Sequence, residues 1–153
     1  MSSAEVAGMA TITVSEIMTT KPRTIRADDS VAIADWLLAL DEIHHVVVVD
    51  ESARVLGILS DRDLLRAYGT SPTPRLPVAR IMSRDVQTIA PDAPATEAIE
   101  RMLRGRFHAL PVTDSMGSLL GIVTSSDFLE VARWVLYGLD ARAPKAKVDR
   151  PVT

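Results

Sequence analysis

The chain has 153 residues, no cysteine, a formal net charge of −3 and a pI near 5.6. This excludes disulfide frameworks, thiolate zinc sites and cysteine nucleophiles, and the acidic balance argues against a general nucleic-acid surface. Apolar residues make up 47% but aromatics only 4%, so the core must be aliphatic, and runs such as Val46–Val49 are far too short to span a bilayer.

The opening stretch MSSAEVAGMA lacks a basic segment followed by an apolar one, so no secretory signal is expected and the cytoplasm is the default location. Residues 1–13 read as an extension. A short extended piece is expected over 23–26, then an amphipathic helix over 30–42 with Ser30 as N-cap. Two strands follow, over 45–50 and 54–59, joined by the turn-forming DESA. A second helix is expected over 61–68. GTSPTPRLP at 69–77 is Pro-rich and aperiodic, which marks a linker. The order then recurs: an extended piece over 86–90, a helix over 94–104 with Pro94 in its first turn, strands over 109–113 and 119–123 joined by DSMG, and a helix over 125–137. From residue 140 the tail is polar and Pro-containing, and is expected to be loose.

The recurrence is a true repeat. Shifting the sequence by 64 positions lays residues 14–65 on 78–129 without a gap, with 15 identities in 52 positions. Among them are Val14/Val78, Ile17–Met18/Ile81–Met82, Thr24–Ile25/Thr88–Ile89, His44/His108, Asp50/Asp114, Leu56–Gly57–Ile58/Leu120–Gly121–Ile122 and Asp63/Asp127. The domains are thus repeat 14–68, linker 69–77, repeat 78–139 and tail 140–153. The fold class expected is α/β in the α+β sense, two β-α-β-β-α units. The strands VVVV, VLGIL and LLGIV are nearly continuous in apolar residues, so both faces are buried. One face can lie on the unit's own helices. The other needs the sheet of the second unit, which predicts sheet-to-sheet packing about a pseudo-twofold axis, with one cleft per repeat.

Each repeat closes on a matched phrase, GILSDRD at 57–63 and GIVTSSD at 121–127. It lies where a strand gives way to a helix, a place that favours anions. Ser60 and Thr124 are suited to a phosphate, and Asp63 and Asp127 to paired hydroxyls such as those of a ribose. The same pattern is a capping box, and on local chemistry alone that reading leads. Two features weigh against it. Asp is short for the reciprocal bond, where Glu or Gln is preferred, and Asp recurs while the two residues before it differ. Gly57 and Gly121 signal close approach of a ligand or of neighbouring backbone.

The duplication, the closing G-h-h-[ST]-x-x-D, the opening SEIMTT and ARIMSR, and FHALPVTD at 107–114 together resemble a tandem pair of cystathionine β-synthase (CBS) domains, a Bateman module, over residues 14–137. The resemblance implies a regulatory module that binds an adenosine-containing ligand (AMP, ADP, ATP, S-adenosylmethionine or NAD) and signals by a change of conformation or assembly. It implies that Asp63 and Asp127 hold ribose, that Ser60 and Thr124 lie near phosphate, and that His44, His45, His108 and Ala109 approach base or phosphate. Arg62 and Ser126, which stand just before the two Asp residues, are where the clefts should differ, with Arg104 and Arg106 as further cations of the second. HHVVVV departs from the small-Pro form of that strand. The alternative reading is a ligand-free dimerisation or interaction module with vestigial clefts.

No resident cofactor, metal site or catalytic constellation is expected. His44 and His45 are adjacent on a strand and point to opposite faces, which does not suit one ion. The last helix, FLEVARWVLYGL, and Trp36 are candidates for a homodimer interface. An effector protein is implied, and no motif names it.

Overall fold

The computed structural model describes residues 11–41, 43–70 and 74–138. The expected extension up to residue 10, the centre of the linker and the tail lie outside the described residues. In chain order the elements are α1 (Val14–Ile17), β1 (Thr19–Thr20), β2 (Thr24–Arg26), α2 (Val31–Leu40), β3 (His45–Val49), β4 (Val55–Ser60), α3 (Asp61–Thr70), a 3₁₀ turn (Val78–Arg80), α4 (Ala95–Gly105), β5 (Ala109–Thr113), β6 (Leu119–Thr124) and α5 (Ser125–Leu136). Most expected elements stand within two residues of their predicted ends. The extended piece expected over 86–90 is reduced to a single parallel bridge, Ile89 to Val112. Pro94 takes the N-cap position of α4 rather than its first turn.

Two three-stranded sheets form, ordered β2-β3-β4 and β1-β6-β5. The hairpins β3–β4 and β5–β6 are antiparallel, and each shifts register at the residue before its turn. The turns match atom for atom. Asp50 Oδ1 accepts from the N–H groups of Ser52 and Arg54 at 2.8 and 3.0 Å, and Asp114 Oδ1 from those of Met116 and Ser118 at 2.9 and 3.0 Å. This is the Asx turn that a short carboxylate favours. Its left-handed position is Gly117 (φ 82°) in one copy and Ala53 (φ 60°) in the other.

Strand alternation sorts the core into three parts. Val46 and Val48 turn inward onto α2 and α3, with Ile25, Val31, Ala34 and Leu59. Leu110 and Val112 do the same beneath α4 and α5, with Ile89, Ala98 and Val123. The intervening residues Val47, Val49, Ala109 and Ile122 meet between the sheets. Both faces of each hairpin are thus covered, as the continuous apolar runs require.

The opening segment of each repeat leaves its own unit. Val14 and Ile17 of α1 are buried in the second core, and β1 pairs with β6, Thr19 with Ile122 and Thr20 with Gly121. Val78 and Met82 are buried in the first core, and Ser83 exchanges hydrogen bonds of 2.9 and 3.0 Å with Ile58 of β4. The glycines explain how these crossings fit. A Cβ on Gly57 would lie 2.7 Å from Ser83 O, and one on Gly121 2.8 Å from Thr19 O. Of the two alternatives that the glycines signalled, neighbouring backbone is what approaches them.

Candidate functional site

β4 ends at Ser60 and β6 at Thr124, and in both cases the helix begins at the next residue. The Ser60 N–H and hydroxyl donate to Asp63 Oδ2 at 2.8 and 2.9 Å, and the Asp63 N–H donates to Ser60 Oγ at 3.1 Å. The Thr124 N–H and hydroxyl donate to Asp127 Oδ2 at 2.8 and 3.3 Å, and the reciprocal backbone bond closes this box too. Both phrases are therefore capping boxes, and the expectation that Asp is too short is corrected. The N-cap residue is still extended (Thr124, φ −125°, ψ 165°). Its N–H is thereby directed over the first helical turn, within reach of a short carboxylate. Each carboxylate accepts its cap bonds through Oδ2. Asp127 is only 9% exposed, and these bonds offset the cost of burying its carboxyl.

The two phrases open onto one continuous cleft of about 990 Å³, within the range of small-ligand sites. Separate clefts were expected for the two repeats. Instead, the seam of Val47, Val49, Ala109 and Ile122 holds the sheets face to face, so Ser60, beside His45 in the first ladder, and Thr124, beside Ala109 in the second, adjoin at one edge. All the expected residues line it: Ser60, Arg62, Asp63, His44, His45, Thr124, Ser126, Asp127, His108 and Ala109. Arg104 and Arg106 are not in its lining. Arg104 reaches back to Glu100 at 3.5 Å on an exposed helix face, and Arg106 is the left-handed C-cap of α4.

Sequence reasoning missed the connector between β1 and β2. Thr19, Lys21, Pro22 and Arg23 all line the cleft. Lys21 has φ 50°, a turn that takes the chain from β6 to its parallel pairing with β3, Thr24 beside Val47. Arg23 Nε lies 2.6 Å from Asp41 Oδ2, an ion pair at the cleft wall. The charged run Lys21-Pro22-Arg23 is the one sequence signal that pointed there.

All three histidines line the cleft. His44 Nδ1 lies 2.8 Å from Asp61 Oδ2, and this hydrogen bond holds Asp61 below the ordinary carboxylate range. Burial keeps His45 below its usual value, with Asp61 opposing and His108 reinforcing the shift. Among the described residues no group of three or more His, Asp or Glu side chains is placed to hold a metal ion, and no helix is long and apolar enough to cross a membrane.

This arrangement defines a class: a duplicated α+β unit whose two capped strand ends share one cleft. The CBS domain family profile matches residues 14–70 and 78–133, and the chain belongs to that family. It is 34% identical over 114 residues to an uncharacterised 17.7 kDa protein of Acidianus ambivalens, covering 74% of this chain and 69% of the relative. Among solved structures, a CBS domain pair in complex with 5′-methylthioadenosine and S-adenosyl-L-methionine superposes with a TM-score of 0.75 at 27% identity, covering 84% of this chain and 98% of that one. The protein CBSX2 in complex with AMP superposes with a TM-score of 0.74 at 26% identity, covering 81% and 98%. Other relatives are enzymes of which this chain spans only a fraction, for example 23% of a homoserine O-acetyltransferase of Methanococcoides burtonii at 35% identity.

Proposed function

We propose that this CBS pair is a regulatory module that binds an adenosine-containing ligand (AMP, ADP, ATP, S-adenosylmethionine or NAD) in the cleft between its repeats and catalyses no reaction. Asp63 and Asp127 accept hydrogen bonds from ribose hydroxyls, Ser60 and Thr124 lie beside phosphate, and the histidines flank base or phosphate. The observation that carries this reading is the convergence of both Ser/Thr-x-x-Asp phrases on a single cleft of about 990 Å³. Ligand binding shifts a population of conformers or assemblies that an effector protein reads. We further infer a homodimer. The helices carry apolar side chains in solvent, with Leu65 74% and its repeat partner Leu129 71% exposed, and Leu136 and Tyr137 beyond them.

The second reading, a ligand-free interaction module, draws on the capping boxes, which give both Asp residues a structural task. Isothermal titration calorimetry with the five compounds separates the two readings. A ligand at a hundredfold above its Kd also adds about 2.7 kcal/mol to unfolding stability. Heat and stabilisation with at least one compound, lost when both Asp residues are changed to Asn, are the expected result. Absence of heat with all five leaves the ligand-free module.

A further inference from the structure

The strands of the two repeats match closely, but their helix layers do not. Between α2 and α3 the first repeat carries a groove of about 680 Å³, lined by Leu38, Ala39, Ile43, Leu64 and Leu65. Two carboxylates border it, Asp61 and, about two turns further along α3, Asp35, which accepts from the Tyr68 hydroxyl at 3.4 Å. Among the described residues no Lys or Arg lines it, and its one histidine, His44, is bound to Asp61 at 2.8 Å. Arg62 and Arg66 lie on the neighbouring row of α3, outside the groove lining, with Arg62 in the cleft. Under the 64-residue shift the second repeat is the converse. Ile43 and Leu64 become the larger Phe107 and Phe128, both packed against the second core. Asp61 becomes Ser125 and Asp35 becomes the exposed Ile99. Ala39 becomes Leu103, which protrudes from α4 with 72% of its surface exposed. The exposed carboxylates of this layer each have an Arg: Glu97 with Arg101 at 2.6 Å, Glu100 with Arg104 at 3.5 Å and Glu130 with Arg133 at 2.8 Å. Arg106, at the end of α4, is a surplus cation. One repeat thus presents an acidic hole where the other presents an apolar knob beside cations.

We infer that two copies of the chain pack first repeat against second, with Leu103 of each copy seated over Ala39 in the α2–α3 groove of the other. This rests on the homodimer proposed above and adds its arrangement. A two-fold axis lets a duplicated unit meet its copy in two ways, like on like or first on second. Like on like would leave two open grooves face to face, each with Asp35 and Asp61 opposite the same carboxylates. Interface cores pack as densely as protein interiors, so unfilled grooves of this size stand against it, and facing like charges add a cost. First on second fills each groove with a side chain of the other copy and brings the Arg104–Arg106 end of α4 toward acidic groups. The two contacts are identical, so the assembly closes as a dimer.

Exchanging the hole and the knob tests it. Ala39 and Leu103 are both exposed, so substitutions there should leave the fold intact, which thermal melts at low concentration check. Ala39→Leu blocks the hole and Leu103→Ala removes the knob. Each should weaken the dimer about tenfold or more by sedimentation equilibrium, the scale of one buried anchor. The double variant Ala39→Leu/Leu103→Ala should recover most of that loss, because every contact again sets a Leu on an Ala. In a like-on-like dimer the double variant sets Leu on Leu and Ala on Ala and recovers nothing. The chain has no cysteine, which allows a second measurement. Ala39→Cys and Leu103→Cys proteins, one of them carrying a size tag, should form the mixed disulfide on oxidation and not the two self-linked species. Self-linked dimers from each Cys protein, or a double variant no tighter than the weaker single one, would overturn the inference and leave the homodimer standing. Single substitutions without effect on a dimeric parent overturn it equally and leave the groove to an effector. A monomeric parent chain would instead remove the homodimer itself.

Discussion

Gly121→Ala tests whether the crossing of the repeats rests on a missing side chain. The added Cβ would lie 2.7 Å from Met18 Sδ and 2.8 Å from Thr19 O. The thioether can swing aside, but the Thr19 carbonyl cannot, because Thr19 is held opposite Ile122 in the β1–β6 ladder. Gly57→Ala repeats the experiment at the other crossing, where Ser83 O stands 2.7 Å away and accepts from the Ile58 N–H at 3.0 Å. Overpacking of this kind costs about 1–3 kcal/mol. Replacing glycine stiffens the unfolded chain and returns about 0.4–1 kcal/mol. The net loss is about 1–2 kcal/mol at each site, a fall in Tm of roughly 2–8 °C for a chain of this size. Urea unfolding followed by tryptophan fluorescence suits the measurement, with Trp36 in the first unit and Trp134 in the second. Gly69→Ala serves as the control. It lies in α3 where an added Cβ meets nothing within 4 Å, so it should gain about 0.5–1 kcal/mol. Gly57→Ala and Gly121→Ala proteins as stable as the parent would refute the packing account of both glycines.

Stability and nucleotide binding should respond to pH in opposite directions through His45. Its pKa in the folded chain lies below the ordinary 6.5 because of burial, so the unfolded chain binds more protons as pH falls through that value. Stability is full above pH 6.5 and declines below it. An anionic nucleotide favours the imidazolium, so its affinity should rise over the same interval. Urea unfolding and calorimetry at pH 7.5 and 5.5 check both slopes, and His45→Ala, which copies Ala109 of the second repeat, should flatten them. At the hairpin turn, Ala53→Gly relieves a left-handed alanine where the other copy has Gly117. The strain of roughly 1–2 kcal/mol less the flexibility cost of glycine leaves a gain of up to about 1 kcal/mol by chemical denaturation. For the helix face, Leu65→Glu and Leu129→Glu should each turn a dimer into a monomer by sedimentation velocity, with the thermal melt at low concentration changed little. A monomeric parent chain removes the dimer.

Much of the architecture was legible because it is written twice. The gapless 64-residue shift aligned the helices and hairpins of one half with those of the other, and the continuous apolar run Val46–Val49 told that the strand is covered on both faces, by helices on one and by the other sheet on the other. The exchange of opening segments was not legible. Ile17–Met18 and Ile81–Met82 are apolar in any arrangement, and nothing in their local pattern says whose core they fill. Only Gly57 and Gly121 hinted at it, by leaving room for a chain to pass. At the site, the repeated phrases identified residues that do come together, but the assumption of one cleft per repeat did not survive the sheet-to-sheet seam. The reach of Asp63 and Asp127 was misjudged because capping statistics average over entry angles, and a strand running straight into a helix has its own. Lys21 and Arg23 escaped notice because they lie outside the repeated phrase and differ between the copies, so a search for identity passed over them.

The exchange also bears on how an occupied cleft would be felt elsewhere. Residues 19–23 are edge strand to β6 at one end and run-in to β2, in the first sheet, at the other. A ligand lying against this connector and the capped strand ends would therefore touch both sheets through a short stretch of chain. The same stretch continues back into α1, whose Val14 and Ile17 are fully or almost fully buried in the second core. Movement of the connector cannot be absorbed in a loose loop. It must be taken up either by the seam of Val47, Val49, Ala109 and Ile122 or by the packing of α1 on α4. Close-packed interiors respond to such demands by switching between discrete arrangements rather than by gradual deformation.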